Sequence, residues 1–214
     1  MTTKNEENKP AKRGGVVNLG EVPRATKNED YKSVVEKNFL SSARVGFRKW
    51  TSKDLKFAFT LWQDSEVTKY IGGPFDENEI RLKIEREIAC EEAYNMQYWP
   101  VFSIENGEFL GCGGLRPYKI ENKIYEIGIH LMKNCWGKGY GNEIAQCVIQ
   151  YGFSVLNASA IFAGHNPKNE ASRGMLTKLR FKYSHDEFYA PTGLMHPSYF
   201  LLKSDWLTYS SEKT

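Results

Sequence analysis

Glu126-Ile127-Gly128-Ile129-His130-Leu131, followed closely by Trp136-Gly137-Lys138-Gly139-Tyr140-Gly141, decides how this chain is read. The first stretch reads as a strand and delivers the backbone to a glycine-rich turn. The turn opens a helix-like run. Gly137, Gly139 and Gly141 carry no side chains to obstruct a ligand. Their N–H groups can converge on a phosphate that also feels the positive end of the helix dipole. A pyrophosphate is the first ligand class to consider, and a turn that merely connects two elements is the plain alternative. A Walker A loop is excluded, because Gly139 is followed by Tyr140-Gly141-Asn142 rather than Lys-Ser/Thr. A Rossmann fingerprint fits no better: the glycines alternate, and no acid stands near Ser159.

The flanking residues separate these readings. The segment resembles the acyl-CoA-binding motif of the GNAT acetyltransferase superfamily, Gln/Arg-x-x-Gly-x-Gly/Ala. Trp136 stands at the Gln/Arg position, as is typical of the RimJ/RimL-like branch. Asn169-Glu170-Ala171-Ser172-Arg173 leading to Lys178-Leu179-Arg180-Phe181 is similar to a second block of that branch. Phe47–Leu55 near the start and Tyr199–Lys203 near the end also match. The resemblance covers about residues 40–208, and it is the order and spacing of four motifs that make it specific. It implies an α/β (α+β) chain with the GNAT acyl-CoA N-acyltransferase fold, in which helices flank a central mixed, mostly antiparallel sheet.

Composition agrees with a folded domain. The chain has 214 residues, and its 41% hydrophobic fraction is enough to build a core. No apolar run approaches the length of a membrane span, and the polar start Met1–Glu7 lacks an apolar signal core, so a cytoplasmic protein without membrane attachment is expected. Cys90, Cys112, Cys135 and Cys147 make no C-x-x-C spacing, nor any ligand pattern with the four histidines, so neither metal nor disulfide is expected. A net charge of +3 is too mild to argue for nucleic acid.

Residues 1–38 are rich in Lys, Glu and Asn and poor in apolar residues. They read as an N-terminal extension, flexible or draped on the domain, with a dimer arm or a lid over the acceptor site as the alternatives. Residues 39–214 form the domain. Thr51 with Asp54, and Asp76 with Glu79, read as capping boxes before the helices Leu55–Gln63 and 77–94. Ile71-Gly72-Gly73-Pro74 reads as a loop. Asn106-Gly107 marks a hairpin between the strands Tyr98–Ile104 and Phe109–Lys119, and Lys123–Met132 continues the meander. Helix Asn142–Leu156, strand Ala160–Ala163, helix Asn169–Leu179 and strands Phe181–Phe188 and Tyr199–Lys203 complete the order.

The implied chemistry is acetyl transfer from the thioester of acetyl-CoA to a primary amine, on a small molecule or a protein N-terminus, within a ternary complex. Such a transfer needs a neutral amine, N–H donors for the developing oxyanion and a stabilised leaving sulfur. By resemblance, backbone groups of Ile129, Leu131 and Met132 hold the pantetheine arm. The amides of Gly137, Lys138, Gly139, Tyr140, Gly141 and Asn142 hold the diphosphate, with the Lys138 charge as a further contact or as a solvated loop lysine. Asn169 resembles the residue that bonds the pantetheine arm, with helix capping as its other reading. Glu126 is the general-base candidate, with an ordinary exposed strand glutamate as its other reading. It shares a strand face with Gly128 and His130, and His130 is either a proton relay or a structural residue. By the same resemblance Ser172 is the candidate for hydrogen bonding to the sulfur, because Leu176 stands where many members of the family have a tyrosine; helping to cap the helix begun at Asn169 is its other reading. Tyr70, Gly72, Gly73, Phe75, Tyr98, Trp99 and Tyr189 are candidate walls of the acceptor site, and loop Ala190–Pro197 is a candidate border. Two departures stand out: Arg180 replaces a helix-ending glycine, and Cys135 an aromatic residue. Two other functions remain open: an acyl-CoA-binding module without catalysis, and a nucleotide-phosphate-binding protein.

Overall fold

In the computed structural model of the chain, residues 38–211 are described. The expectation for residues 1–38 therefore falls, Asn38 apart, outside the described residues. Eight strands form one sheet: β1 (Leu40–Ser41), β2 (Val45–Phe47), β3 (Tyr98–Ser103), β4 (Phe109–Lys119), β5 (Ile124–Leu131), β6 (Ala160–Gly164), β7 (Lys182–Tyr189) and β8 (Leu194–Leu202). Their spatial order is β1-β2-β3-β4-β5-β6-β8-β7. All pairings are antiparallel except that of β5 with β6, which the helical crossover between them makes parallel. Three helices precede β3: α1 (Leu55–Trp62), α2 (Ser65–Thr68) and α3 (Glu77–Tyr94). Helix α4 (Tyr140–Ser154) links β5 to β6, α5 (Glu170–Lys178) precedes β7, and α6 (Lys203–Ser211) ends the described chain. None of these helices is long and apolar enough to cross a membrane. This is the mixed, mostly antiparallel sheet flanked by helices that the sequence implies.

Local chemistry accounts for the element ends. The Thr51 and Asp76 capping boxes both form; the first opens a 3-10 turn, Ser52–Asp54, that runs into α1. The turn at Asn106-Gly107 closes with Gly107 N–H donating to the Ser103 carbonyl at 2.9 Å. Helix α4 starts at Tyr140, ahead of its expected start, because Gly139 at φ 82° is already a left-handed N-cap. The expected Ala190–Pro197 excursion is corrected: the chain reverses within Ala190–Gly193, and Leu194 onward is strand β8, in which Pro197 pairs with Asp186. Neither the two-residue β1 nor the helix α6 is expected from the sequence; the first lacks the length and the second the apolar periodicity that betrays such elements.

The period-2 alternation of β3 divides the core. Trp99 packs against Tyr151 of α4 at 5.0 Å between ring centroids, and Phe153 of α4 stacks on Trp206 of α6. On the opposite face Phe57 of α1 packs on Phe102 and Phe109, and Trp50 on Trp62. Trp62, Trp99, Phe102 and Phe153 are all at least 98% buried. Burial of this kind contributes about 2–3 kcal/mol for each large side chain.

Arg180 shows how the chain manages without a glycine at the end of α5. Its φ is +64°, so arginine itself takes the left-handed position. Phe181 N–H donates to the Leu176 carbonyl and Arg180 N–H to that of Thr177, both at 3.0 Å, the pair of bonds that defines a Schellman cap. A Cβ in that conformation is strained. Arg180→Gly is therefore expected to raise stability by about 1 kcal/mol, read as a Tm increase of about 2–4 °C. A lower Tm would mean that contacts of the arginine side chain outweigh the backbone strain.

Candidate active site

The site begins where two strands part. β5 and β6 pair only from Ile124↔Ala160 to Glu126↔Phe162. Beyond that point β5 stays paired with β4 as far as Gly111↔Leu131. Met132 N–H donates to the Leu110 carbonyl at 2.9 Å. The two-residue alternation of the ladder then turns the backbone groups of Ile129 and Leu131 away from β4 and into the gap. A cleft of about 800 Å3 follows this gap. Gly137, Gly139 and Asn142 line one end of it, and Glu126, Tyr118 and Glu187 the other.

At the first end, the backbone N–H groups of Gly137 through Asn142 have no partner among the described residues. The first helical bond of α4 comes only with Glu143 N–H to the Gly139 carbonyl, 3.2 Å. Unpaired donors at a helix start, on a turn held open by positive φ at Gly137 and Gly139, suit a diphosphate. A Cβ on Gly137 would meet nothing within 4 Å, so space is open above the turn. The Asn142 side-chain oxygen is also buried without a partner among the described residues.

A clasp unread in the sequence braces this turn. Arg44 Nε donates to Glu143 Oε2 at 2.7 Å, and its Nη1 donates to the Lys138 carbonyl at 3.1 Å. The guanidinium lies 4.7 Å from the Tyr140 ring centroid. Ser42 Oγ and Arg44 N–H both donate to Glu143 Oε1. Nothing local signals the clasp, because Arg44 and Glu143 meet only through the tertiary fold.

The other end of the cleft is charged and aromatic. Tyr98 lies across Gly128, where a Cβ would come within 2.3 Å of its ring. Arg116 stacks on Tyr98 at 3.9 Å and is paired with Glu87. Arg116 and Glu126 are directly opposite in the β4–β5 register. The Glu126 carboxylate makes no hydrogen bond or ion pair among the described residues. Burial pushes its pKa up, Arg116 opposes this, and Glu187 adds to it. Tyr118 stacks on Phe162 at 3.9 Å, and its hydroxyl donates to Glu187 at 3.3 Å. His130 is held neutral: burial, then the charges of Arg116 and Lys83, push its pKa down to about 3. Its Nδ1 accepts from the Trp62 indole at 3.0 Å. The proton therefore sits on Nε2, and a two-nitrogen proton relay is not available.

Helix α5 supplies the third side. The Asn169 side-chain oxygen accepts from Ser172 N–H at 3.1 Å, so the capping reading of Asn169 holds, and its amide N–H2 stays free among the described residues. Asn169 and Ser172 both line the cleft. Leu176, one turn further along the same helix, is buried.

Several expected residues do not reach the cleft. Trp99 is fully buried on the α4 face, its indole donating to Glu91; alternation gives the cleft to its neighbour Tyr98 instead. Met132 is buried and its N–H is committed to Leu110. The Lys138 side chain is exposed and outside the lining, although its backbone belongs to the turn. Gly72, Gly73 and Phe75 are also outside it, whereas Tyr70, Tyr189 and His130 line it. Residues that the sequence did not single out are Arg116, Lys83 and Glu187, whose roles depend on cross-strand register and helix orientation. No cluster of three or more metal-ligating side chains exists among the described residues.

Residues 44–182 match the acetyltransferase (GNAT) domain family. The chain belongs to the GNAT acetyltransferase family. It is 34% identical over 147 residues to the N-acetyltransferase p20 of Bacillus licheniformis, covering 67% of this chain and 82% of that one. Its fold is similar to that of spermidine N-acetyltransferase from Vibrio cholerae, solved with CoA and spermine (TM-score 0.67, 17% identity, 78% of this chain and 99% of that one). It is also similar to that of RimL, a ribosomal L7/L12 α-N-protein acetyltransferase, solved with coenzyme A (TM-score 0.66, 14% identity, 77% and 97%). At these identities the two structures establish the fold alone. The two neighbours are named for different acceptors, a polyamine and a protein N-terminus.

The clasp gives an acid-sensitive element. Burial would raise the Glu143 pKa, but hydrogen bonds from Ser42 and Arg44 outweigh it and hold the carboxyl below its ordinary value. The resulting stability is present above the unfolded value of about 4.3 and is lost as pH falls through the folded one. Glu143→Gln should lower Tm at pH 7 by an amount that shrinks as pH falls below about 4.3 and vanishes only once the wild-type carboxyl is itself protonated, below its depressed folded value. Arg44 is half exposed, so the cost at neutral pH is under about 1 kcal/mol. A Tm difference that stays constant with pH would remove Glu143 from this role.

Proposed function

We propose that this GNAT enzyme transfers the acetyl group of acetyl-CoA to a primary amine, in the manner of the RimJ/RimL-like branch, with both substrates held in one cleft. The observation that carries the reading is the row of unpaired N–H groups from Gly137 to Asn142, set at the end of a strand whose outer edge is open. Acetyl-CoA supplies the activated acetyl group as a thioester. The Gly137–Asn142 amides hold the diphosphate at the start of α4, where the helix dipole favours negative charge. Ile129 offers its backbone groups and Leu131 its N–H to the pantetheine arm, the Leu131 carbonyl being held by the Trp136 indole at 2.9 Å, and the amide of Asn169 adds a donor. The acceptor is a small-molecule amine or a protein N-terminus, with Tyr70 and His130 on its side of the cleft.

Glu126 takes the proton from the amine as the new C–N bond forms. A carboxylate whose pKa is raised by burial is a better base than an exposed one. Ser172 donates a hydrogen bond to the sulfur as the C–S bond breaks. The buried Leu176 is the one feature that favours a binding module without catalysis, since it removes the usual proton donor near the sulfur. Residues 1–38 are read as an extension to the catalytic domain, and the enzyme as cytoplasmic.

Acetyl-CoA at about 100 times its dissociation constant should stabilise the protein by about 2.7 kcal/mol, with ATP and NAD giving less. Gly139→Val should remove most of that shift while leaving the protein folded, because φ +82° is closed to a β-branched residue. Equal shifts with all three ligands would count against the CoA reading.

Glu126→Gln should lower turnover by about 10²–10⁴-fold. In the wild type kcat/KM should fall as pH drops through a value above the ordinary glutamate range, because the protonated carboxyl cannot accept a proton. That limb should disappear in the variant. Acetyl-CoA binding without thiol release against a broad amine panel would instead favour the non-catalytic reading.

A further inference from the structure

The cleft has a cationic pole as well as an anionic one, and we propose that the acceptor is a primary amine that also carries a carboxylate, with Lys83 receiving that carboxylate. This rests on the acetyltransferase reading above and names the acceptor class for the same site.

Lys83 lies on α3, half-buried, and lines the cleft. Its Nζ stands 3.9 Å from the Phe75 ring centroid and 5.9 Å from that of Trp62. No carboxylate pairs with it among the described residues. The acid one helical turn on, Glu87, is already committed: one oxygen is bound to Arg116 and the other accepts from Tyr98 N–H at 2.7 Å. Burial, and the neighbouring Arg116, push the Lys83 pKa down, against the pull of Glu87. Two aromatic faces compensate it only in part. A carboxylate arriving in the cleft would complete the pair.

Beside it, His130 offers a neutral Nε2–H, since its Nδ1 is taken by Trp62. One point charge and one neutral donor suit a monoanion. A phosphate dianion would call for a second unpaired cation, and the guanidinium of Arg116 is occupied by Glu87. The anionic pole is formed by Glu126 and Glu187, which receive the amine end of the acceptor. A diamine would bring a second ammonium toward Lys83, which opposes it. The cleft therefore selects for the two charges of an amino acid-like compound.

The test is a matched panel assayed with acetyl-CoA: ω-amino carboxylates of increasing chain length, the n-alkylamines of the same length, and the corresponding diamines. The carboxylates are expected to exceed both other series in kcat/KM by about tenfold or more. Lys83→Met should shrink the carboxylate-to-alkylamine ratio about tenfold, mainly through a higher KM for the carboxylates, and Lys83→Arg should retain most of it. Donor binding is followed in parallel by calorimetry. Diamines preferred over carboxylates, or a ratio untouched by Lys83→Met in protein that still binds acetyl-CoA, would overturn the proposal. Loss of acetyl-CoA binding by the wild-type protein would overturn the functional reading beneath it instead.

Discussion

The parting of β5 from β6 after Glu126 and Phe162 is the constraint on which the molecule depends. A parallel pair joined by a helix must place that helix against one face of the sheet, and here the connection carries the glycine turn to the end of β5. While the strands remain together they fix Glu126 at the fork. Once they separate, one edge of β5 keeps its bonds to β4 and the other turns outward, where the Leu131 carbonyl accepts from the Trp136 indole at 2.9 Å and the N–H groups of Ile129 and Leu131 have no partner among the described residues. Buried backbone groups without partners are costly, so an open edge of this kind is tolerated where a ligand or water completes it. Fork, open edge and helix start are therefore one arrangement.

A second dependence runs through Glu87, which is 1% exposed. It ties α3 to β3 through Tyr98 N–H and to β4 through Arg116, and its backbone carbonyl accepts from Gln97, which in turn accepts from Trp50 N–H. Burying a carboxylate is expensive unless it is paired and fully hydrogen-bonded, and here both of its oxygens are used. The consequence is positional: Arg116 cannot turn to pair closely with Glu126, although register sets the two opposite each other. Among the described residues the carboxylate at the fork is left without a partner because the cation opposite it is engaged elsewhere.

What was legible in the sequence was local. The capping boxes at Thr51 and Asp76, the Asn106-Gly107 hairpin and the glycine turn each depend on a few adjacent residues, and each formed as read. The errors arose where the answer depended on which way a strand faces or what lies across it. Tyr98 and Trp99 cannot both face the cleft, and only the register of β3 decides between them. Met132 was lost to a ladder bond that extends past the end of the strand. The Arg44 clasp joins residues far apart in the chain, and Lys83 is one lysine among many until Phe75 and Trp62 surround it.

The glycine beneath Tyr98 has a consequence for how the chain finds its pairing during folding. Gly128 is opposite Gly114 on β4, where a Cβ would come within 1.8 Å of the Gln97 carbonyl. A slip of one residue in β5 would bring Ile127 or Ile129 beneath the Tyr98 ring, where even a methyl group does not fit. The two glycines thus act as a key against mispairing. They make the correct alignment of the central strands the one in which the aromatic ring can settle, before any ligand is present to favour it.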